Sequence, residues 1–309
     1  MKKYLTFVML TVLMFLNFSA FAQFSQPVDK VASDGFKYRE IIVNVSVPDT
    51  SCFFGCTKGE SVVMQGLLWI PNSGDFSPPY KVFVINHGAQ NPGSFGSSNI
   101  STVRSLLEGK GIVASMLRKG YATIFIARKG FYLENLPKST VSPESYETNS
   151  CNANMVPGLQ SAVSDVKAYL TVIATREDLN MQKIIMFGHS RGAITTFKLV
   201  TEEYPGIVGI INHSGIWMAE TSVPSGQNCP SFSFNSIFFK EFQSIKVPVF
   251  SYYGTRDHVV SLPSIKTLLS NFDNNASSSV MFVEGAGHFI QTNDEIREKL
   301  EEFLKRVNQ

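Results

Sequence analysis

The residues best suited to chemistry centre on a serine, Ser190, within Gly188-His189-Ser190-Arg191-Gly192. A serine hydroxyl is a weak nucleophile at neutral pH. It needs an imidazole within hydrogen-bond reach, and the imidazole needs a carboxylate to fix its tautomer. Two residues downstream suit those roles: Asp257, in Gly254-Thr255-Arg256-Asp257-His258, and His288, in Gly285-Ala286-Gly287-His288-Phe289. Taken singly, Asp257 reads as a helix N-cap ahead of Val259, and His288 as a loop histidine. Glu220 is a rival for the acid. The weight lies in the joint placement and in the chain order serine, acid, histidine.

That placement is set by the flanking elements. Lys183 to Phe187 is a β-branched, apolar run, and Ala193 to Tyr204 has helical spacing. A G-x-S-x-G between a strand and a helix reads as a nucleophile elbow, in which one tight turn lifts the hydroxyl above the sheet edge. Side chains at 188 and 192 would clash there, so both positions need glycine. The helix N-terminus adds positive potential where an oxyanion would form. Asp257 follows a strand ending at Tyr252-Tyr253-Gly254, and His288 follows the last strand, Ser279 to Val283. In a parallel sheet, functional groups gather past the carboxyl ends of strands, so all three are expected at one rim.

An oxyanion hole needs two preorganised N–H donors. The backbone N–H of Arg191 is the first candidate. The second is that of Ala89, in the His87-Gly88-Ala89 turn after the strand at 82–86. His87, Gly88, His213 and Trp217 are candidates for the substrate pocket, although His213 also reads as a satisfied structural histidine. His189 and Arg191 fill the variable elbow positions and are expected to touch neighbouring strands rather than react. His258 is expected to point away. No C-x-x-C or clustered histidines occur, so neither a metal nor any other cofactor is expected.

The wider pattern supplies the frame. Tyr38 to Val47 and Ser61 to Ile70 alternate like an antiparallel strand pair. Lys81 to Asn86 and Tyr121 to Ala127 are apolar throughout, as strands buried on both faces are. Helical stretches are expected at Ser98 to Lys119, from Leu159 to Ile173, and at Ser261 to Asn271; residues 131–156 look loop-like. Further strands fall at Ile207 to Asn212 and Val247 to Tyr253. Thr292 with Glu295 reads as a capping box for a closing helix that buries Ile296, Leu300, Leu304 and Val307. Residues 214–246 are aromatic-rich and too long for a bare loop, so they read as an inserted lid or small cap. Strict strand–helix alternation demands an α/β fold: a mostly parallel sheet with helices on both faces.

Composition narrows the setting. The chain has 309 residues, 44% hydrophobic and 17% charged, enough for a sizeable core and against disorder. Lys2 and Lys3, the apolar run Leu5 to Phe18, and Ala20-Phe21-Ala22 form a secretory leader at 1–22, leaving a single domain at 23–309. The rival is an uncleaved anchor. Setting aside Lys2 and Lys3 leaves 25 basic against 25 acidic residues, which gives no electrostatic case for nucleic acid or acidic membranes. No stable membrane insertion is expected after cleavage. The short Lys-Lys start points to a bacterial leader, hence the periplasm or secretion beyond it. Cys52, Cys56, Cys151 and Cys229 fit such an oxidising compartment; Cys52–Cys56 with Cys151–Cys229 is the favoured pairing, against other pairings or free thiols.

Together, His87-Gly88, Gly188-His189-Ser190-Arg191-Gly192, Gly254-Thr255-Arg256-Asp257 and Gly287-His288 make the chain resemble the α/β-hydrolase superfamily. The resemblance covers nearly all of the mature chain. The subgroup it is most similar to is that of dienelactone hydrolase-like and prolyl oligopeptidase-like esterases and peptidases. It implies an eight-stranded sheet with one antiparallel edge strand, and an acyl-enzyme mechanism without metal. Ala89 stands where many relatives carry another glycine. Dienelactone hydrolases proper use a cysteine nucleophile, so with Ser190 here that activity does not carry over. The expected function is an exported serine hydrolase acting on small-molecule carboxylic esters. The alternatives are a prolyl oligopeptidase-like peptidase, for whose propeller the chain has no room, and a catalytically dead binding protein on the same fold.

Overall fold

In a computed structural model of the chain, residues 22–48, 61–88, 96–98, 100–133, 151–215, 245–259, 262, 265–266 and 278–308 are described. The strands are β1 (Ala22–Phe24), β2 (Val28–Val31), β3 (Lys37–Pro48), β4 (Ser61–Pro71), β5 (Tyr80–Asn86), β6 (Gly96–Ser98), β7 (Ala122–Ile126), β8 (Phe131–Leu133), β9 (Leu179–His189), β10 (Ile207–His213), β11 (Val249–Gly254) and β12 (Ser279–Val283). The helices are α1 (Ile100–Arg104), α2 (Ile112–Arg118), α3 (Cys151–Ile173), α4 (Arg191–Thr201) and α5 (Asp294–Val307).

The main sheet runs β1-β3-β4-β7-β5-β9-β10-β11-β12, with β2 also paired to β3. The stretch from β3 to β12 contains the eight strands expected. Of these, β4 alone runs against the rest, because it pairs antiparallel with both β3 and β7. It lies one place in from the edge rather than at the edge itself. The remaining contacts from β7 to β12 are parallel. Beyond β3, the short strands β1 and β2 add antiparallel ladders to its outer side, so the sheet totals ten strands. A separate pair, β6 and β8, is parallel.

Alternation along the central strands divides their side chains between two cores. Val82 and Val84 of β5, with Ile184 and Met186 of β9, join one cluster with Leu159, Val163, Val166 and Leu170 of α3 and with Ile194 and Phe197 of α4. Phe83 and Ile85, with Ile185 and Phe187, face the other way onto Ile112, Met116 and Leu117 of α2 and onto Ile296, Leu300 and Phe303 of α5. Each such side chain contributes on the order of 1.5–3 kcal/mol when fully buried. Helices therefore cover both faces, and the strand ends between them are free to carry loops.

Several boundaries differ from the sequence expectation. The stretch 98–119 is not one helix. A 3₁₀ turn, Ser105–Leu107, follows α1, and Gly109 then takes φ +68°, a conformation that ends the helix. Helix α3 begins at Cys151, inside the segment expected to be loop, and runs through Pro157. The cap of α5 is Asn293 rather than Thr292: its side chain accepts from the Ile296 N–H at 2.8 Å, the same three-residue reach shifted by one. Of the helix expected over 261–271, residues 262, 265 and 266 are described and helical. Residues 1–21 of the expected leader and 216–244 of the expected cap at 214–246 lie outside the described residues, as do Cys52, Cys56, Cys229 and the Cys151 side chain. Among the described residues, no helix is long and apolar enough to cross a membrane.

Candidate active site

Ser190 sits between β9 and α4 with φ 53° and ψ −122°. Positive φ is strained for a residue with a side chain, and such strain concentrates at functional sites. The turn that imposes it is closed by backbone contacts. A Cβ on Gly188 would lie 2.3 Å from the Ala193 Cα, and one on Gly192 would lie 2.3 Å from the carbonyl oxygens of both Asn86 and His87. The two glycines flanking the serine are therefore required by close approach, as the motif implied. The Ser190 N–H donates to the His213 carbonyl at 2.8 Å, which ties the elbow to β10. Arg191 is the first residue of α4, so its backbone N–H belongs to the helix N-terminus beside the serine.

Asp257 and His288 come from loops that are stitched together. The Thr255 N–H donates to the Val283 carbonyl, the Arg256 N–H to the Ala286 carbonyl, and the Gly285 N–H to the Thr255 hydroxyl. These bonds follow from the parallel pairing of β11 with β12 and bring the two functional loops side by side. His288 Nδ1 donates to Asp257 Oδ2 at 2.8 Å, and the carboxylate is wholly buried. This bond leaves Nε2 as the nitrogen able to exchange a proton with a hydroxyl. Asp257 Oδ1 also accepts from the Val259 N–H at 2.8 Å. The carboxylate thus shapes its own turn and holds the imidazole.

The His189 ring packs against the His288 ring at 5.2 Å between centroids, so the residue before the serine touches the imidazole held by Asp257. It also lies 4.7 Å from the Phe289 ring and 4.6 Å from the His213 ring. Burial, followed by the neighbouring His288, lowers the His189 pKa from 6.5 to about 4. His213 is buried, stacked on Tyr252 at 4.5 Å, and its Nε2 accepts from the Ile290 N–H at 3.1 Å. His258 is exposed. Glu220 and Trp217 lie outside the described residues.

On the other side of Ser190, the turn after β5 approaches closely: a Cβ on Gly88 would lie 3.5 Å from the Ser190 Cβ. Ala89 lies outside the described residues. His87 and Gly88 are held from below by Arg128, a residue the sequence reading passed over. Its buried guanidinium donates through Nη2 to the carbonyls of His87, at 3.0 Å, and Gly88, at 3.3 Å. The His87 ring donates from Nδ1 to the Gly88 carbonyl, accepts at Nε2 from the Arg128 N–H, and stacks on Phe131 at 4.4 Å. Next in the chain, the Lys129 ammonium pairs with Asp165 of α3 at 3.0 Å, both side chains being buried. The Tyr169 hydroxyl, one turn along α3, donates to the Ala127 carbonyl. The clue in sequence was a pair of cations directly after an apolar strand, Arg128-Lys129, with one carboxylate, Asp165, on an otherwise apolar helix face. Among the described residues, no group of three or more His, Cys, Asp or Glu is arranged to hold a metal.

A model of the dienelactone hydrolase family matches residues 108–306, which spans α2 to α5 and includes Ser190, Asp257 and His288. The chain belongs to the dienelactone hydrolase family. It is therefore a hydrolase on the α/β-hydrolase fold. A search of curated proteins finds no match to it. Among solved structures it is similar to an acetyl xylan esterase from Paenibacillus sp. R4, with TM-score 0.57, 12% identity, and coverage of 97% of this chain and 93% of that one. It is also similar to a cold-adapted esterase from an Arctic intertidal metagenomic library, with TM-score 0.56, 14% identity, and coverage of 90% and 97%. An acetyl xylan esterase from Thermoanaerobacterium sp. JW/SL YS485 gives TM-score 0.56 at 9% identity, with coverage of 94% and 89%. At these identities the likeness speaks for the fold. Within the dienelactone hydrolase family, this chain carries a serine at the elbow, Ser190.

Proposed function

We propose that this family member is an exported serine hydrolase that cleaves small carboxylic esters through an acyl-enzyme on Ser190. His288 takes the hydroxyl proton as Ser190 attacks the carbonyl, and returns it to the leaving alcohol. Asp257 holds the imidazole in the tautomer that leaves Nε2 basic. The N–H groups of Arg191 and Ala89 receive the oxyanion, and water then releases the acid by the same steps in reverse roles. The observation that carries this reading is the 2.8 Å bond between His288 and the fully buried Asp257 carboxylate, with the His288 ring packed on His189, the residue before a serine held at positive φ. Esters are favoured as substrates because the solved relatives quoted above are named as esterases. Export is favoured by the leader-like residues 1–22.

The test is turnover of p-nitrophenyl esters by the mature protein, with a fluorophosphonate probe as a second readout. Wild type is expected to hydrolyse short esters and to label at Ser190. Ser190→Ala should lower kcat by about 10⁴-fold or more, with no change in fold. Faster cleavage of prolyl amides than of esters would favour the peptidase reading. Failure of Ser190 to label in folded protein would favour a binding role on a dead site.

A further inference from the structure

His213 joins two functional segments that are far apart in sequence. Through its main chain it accepts the Ser190 N–H at 2.8 Å, and so fixes the nucleophile turn. Through its side chain it accepts the Ile290 N–H at 3.1 Å, two residues past His288. The residues that make both bonds, Ser190, His213 and Ile290, are buried. Ile290 itself packs into the core with Tyr252, Val283 and Ile296. We propose that His213 is a positioning residue: its ring acts as a fixed acceptor that registers the His288 loop against the nucleophile strand.

The surroundings of the ring suit that role. A side chain accepting at Nε2 must be an uncharged imidazole with its proton on Nδ1, because the imidazolium has no lone pair to offer. The ring lies on Tyr252 at 4.5 Å, against the edge of His189 at 4.6 Å and near Phe187 at 6.2 Å. Burial, then the neighbouring His189 and His288, hold its pKa well below the ordinary value. The ring therefore stays an uncharged acceptor at neutral pH. The chain position reinforces the role. His213 ends β10, paired in register with His189 on one side and Tyr252 on the other, so its ring shares the sheet face of Ile211 and Tyr252 at the carboxyl end of the strands. An aliphatic residue there would fill the space and leave the Ile290 N–H buried without a partner.

This inference rests on the catalytic reading of Ser190 and His288, and the experiment separates the two. We would compare wild type, His213→Phe and His213→Gln, using kcat and KM on p-nitrophenyl acetate and backbone hydrogen exchange across 284–292. Phe keeps the ring and removes the acceptor; Gln places an oxygen near the Nε2 position. For His213→Phe, kcat is expected to fall by about tenfold to a hundredfold with KM within about twofold, since a displaced base weakens the transition state more than ground-state binding. His213→Gln should recover most of kcat. The Ile290 amide should be protected in wild type and in His213→Gln, and exposed in His213→Phe. A folded His213→Phe with wild-type kcat, or a His213→Gln as slow as His213→Phe, overturns the proposal. Unprotected Ile290 in wild type overturns it even if a variant does not fold. A wild type that neither labels with fluorophosphonate nor turns over ester sinks the hydrolase reading instead.

Discussion

Asp257 carries two loads on two oxygens. One holds the Val259 N–H of its own turn and the other holds His288 Nδ1. An amide at this position keeps an acceptor for the turn but presents the imidazole with the wrong tautomer. Asp257→Asn should therefore lower kcat by about 10⁴-fold while the melting temperature barely moves, which a paired activity and calorimetry measurement would check. Gly192 shows the opposite balance. A methyl group there meets two backbone carbonyl oxygens, neither of which can rotate away. Gly192→Ala should cost on the order of 3 kcal/mol or more and yield little folded protein, as read by soluble expression and circular dichroism. At this scale the sequence was informative about placement: Ser190, Asp257 and His288 each follow a strand, and Asp257 and His288 meet as their spacing suggested. The Arg128-Lys129 pair stands out in the sequence, but what Arg128 holds does not, because the carbonyls of His87 and Gly88 are main-chain acceptors and leave no signature in residue types.

The element that positions the His87-Gly88 turn beside Ser190 is the end of β7. Lys129 is buried against Asp165, and Ala127 is held by Tyr169, so α3 acts as a clamp on the segment from which Arg128 reaches His87 and Gly88. Removing one partner of a buried ion pair costs more than the pair contributes, because the remaining charge stays desolvated. Asp165→Ala is expected to destabilise the protein by about 3–5 kcal/mol in urea unfolding, whereas an exposed pair such as Lys299 with Glu302 should matter by less than about 1 kcal/mol. Element types were legible from periodicity, since α3, α4 and α5 bury the residues their spacing picks out. Their ends were less so. The cap of α5 moved from Thr292 to Asn293 because both side chains can cap, and the choice depends on where the chain leaves the preceding loop.

Across the whole molecule, two buried histidines link stability to pH. His189 titrates near 6.5 when unfolded and at about 4 when folded, and His213 is displaced in the same direction. The unfolded chain therefore binds more protons than the folded one below about pH 6.5. Stability should be full above that pH and decline as pH falls from 6.5 towards 4, with a slope approaching about 1.4 kcal/mol per pH unit for each ring. Chemical denaturation at a series of pH values would show this, and a flat profile would refute the buried, uncharged state of both rings. The alternation of strands and helices made the parallel sheet and its two helical layers readable in advance. The strands β1 and β2 were not, because their partners on β3 are set by main-chain pairing at an edge, where burial imposes little pattern on side chains.

The loop that carries His288 hangs from the margin of the sheet. His288 follows β12, which among the described residues is hydrogen-bonded along one side, to β11, and Val280 on it is exposed. Border strands open at lower free energy than central ones. On heating, that border can peel away and take the imidazole with it while the interior around Trp69 of β4 stays intact. Thermal inactivation of the enzyme should therefore run ahead of the unfolding seen by near-ultraviolet circular dichroism, and reinforcing the β11–β12 border should lengthen the active lifetime without raising the bulk melting point to match.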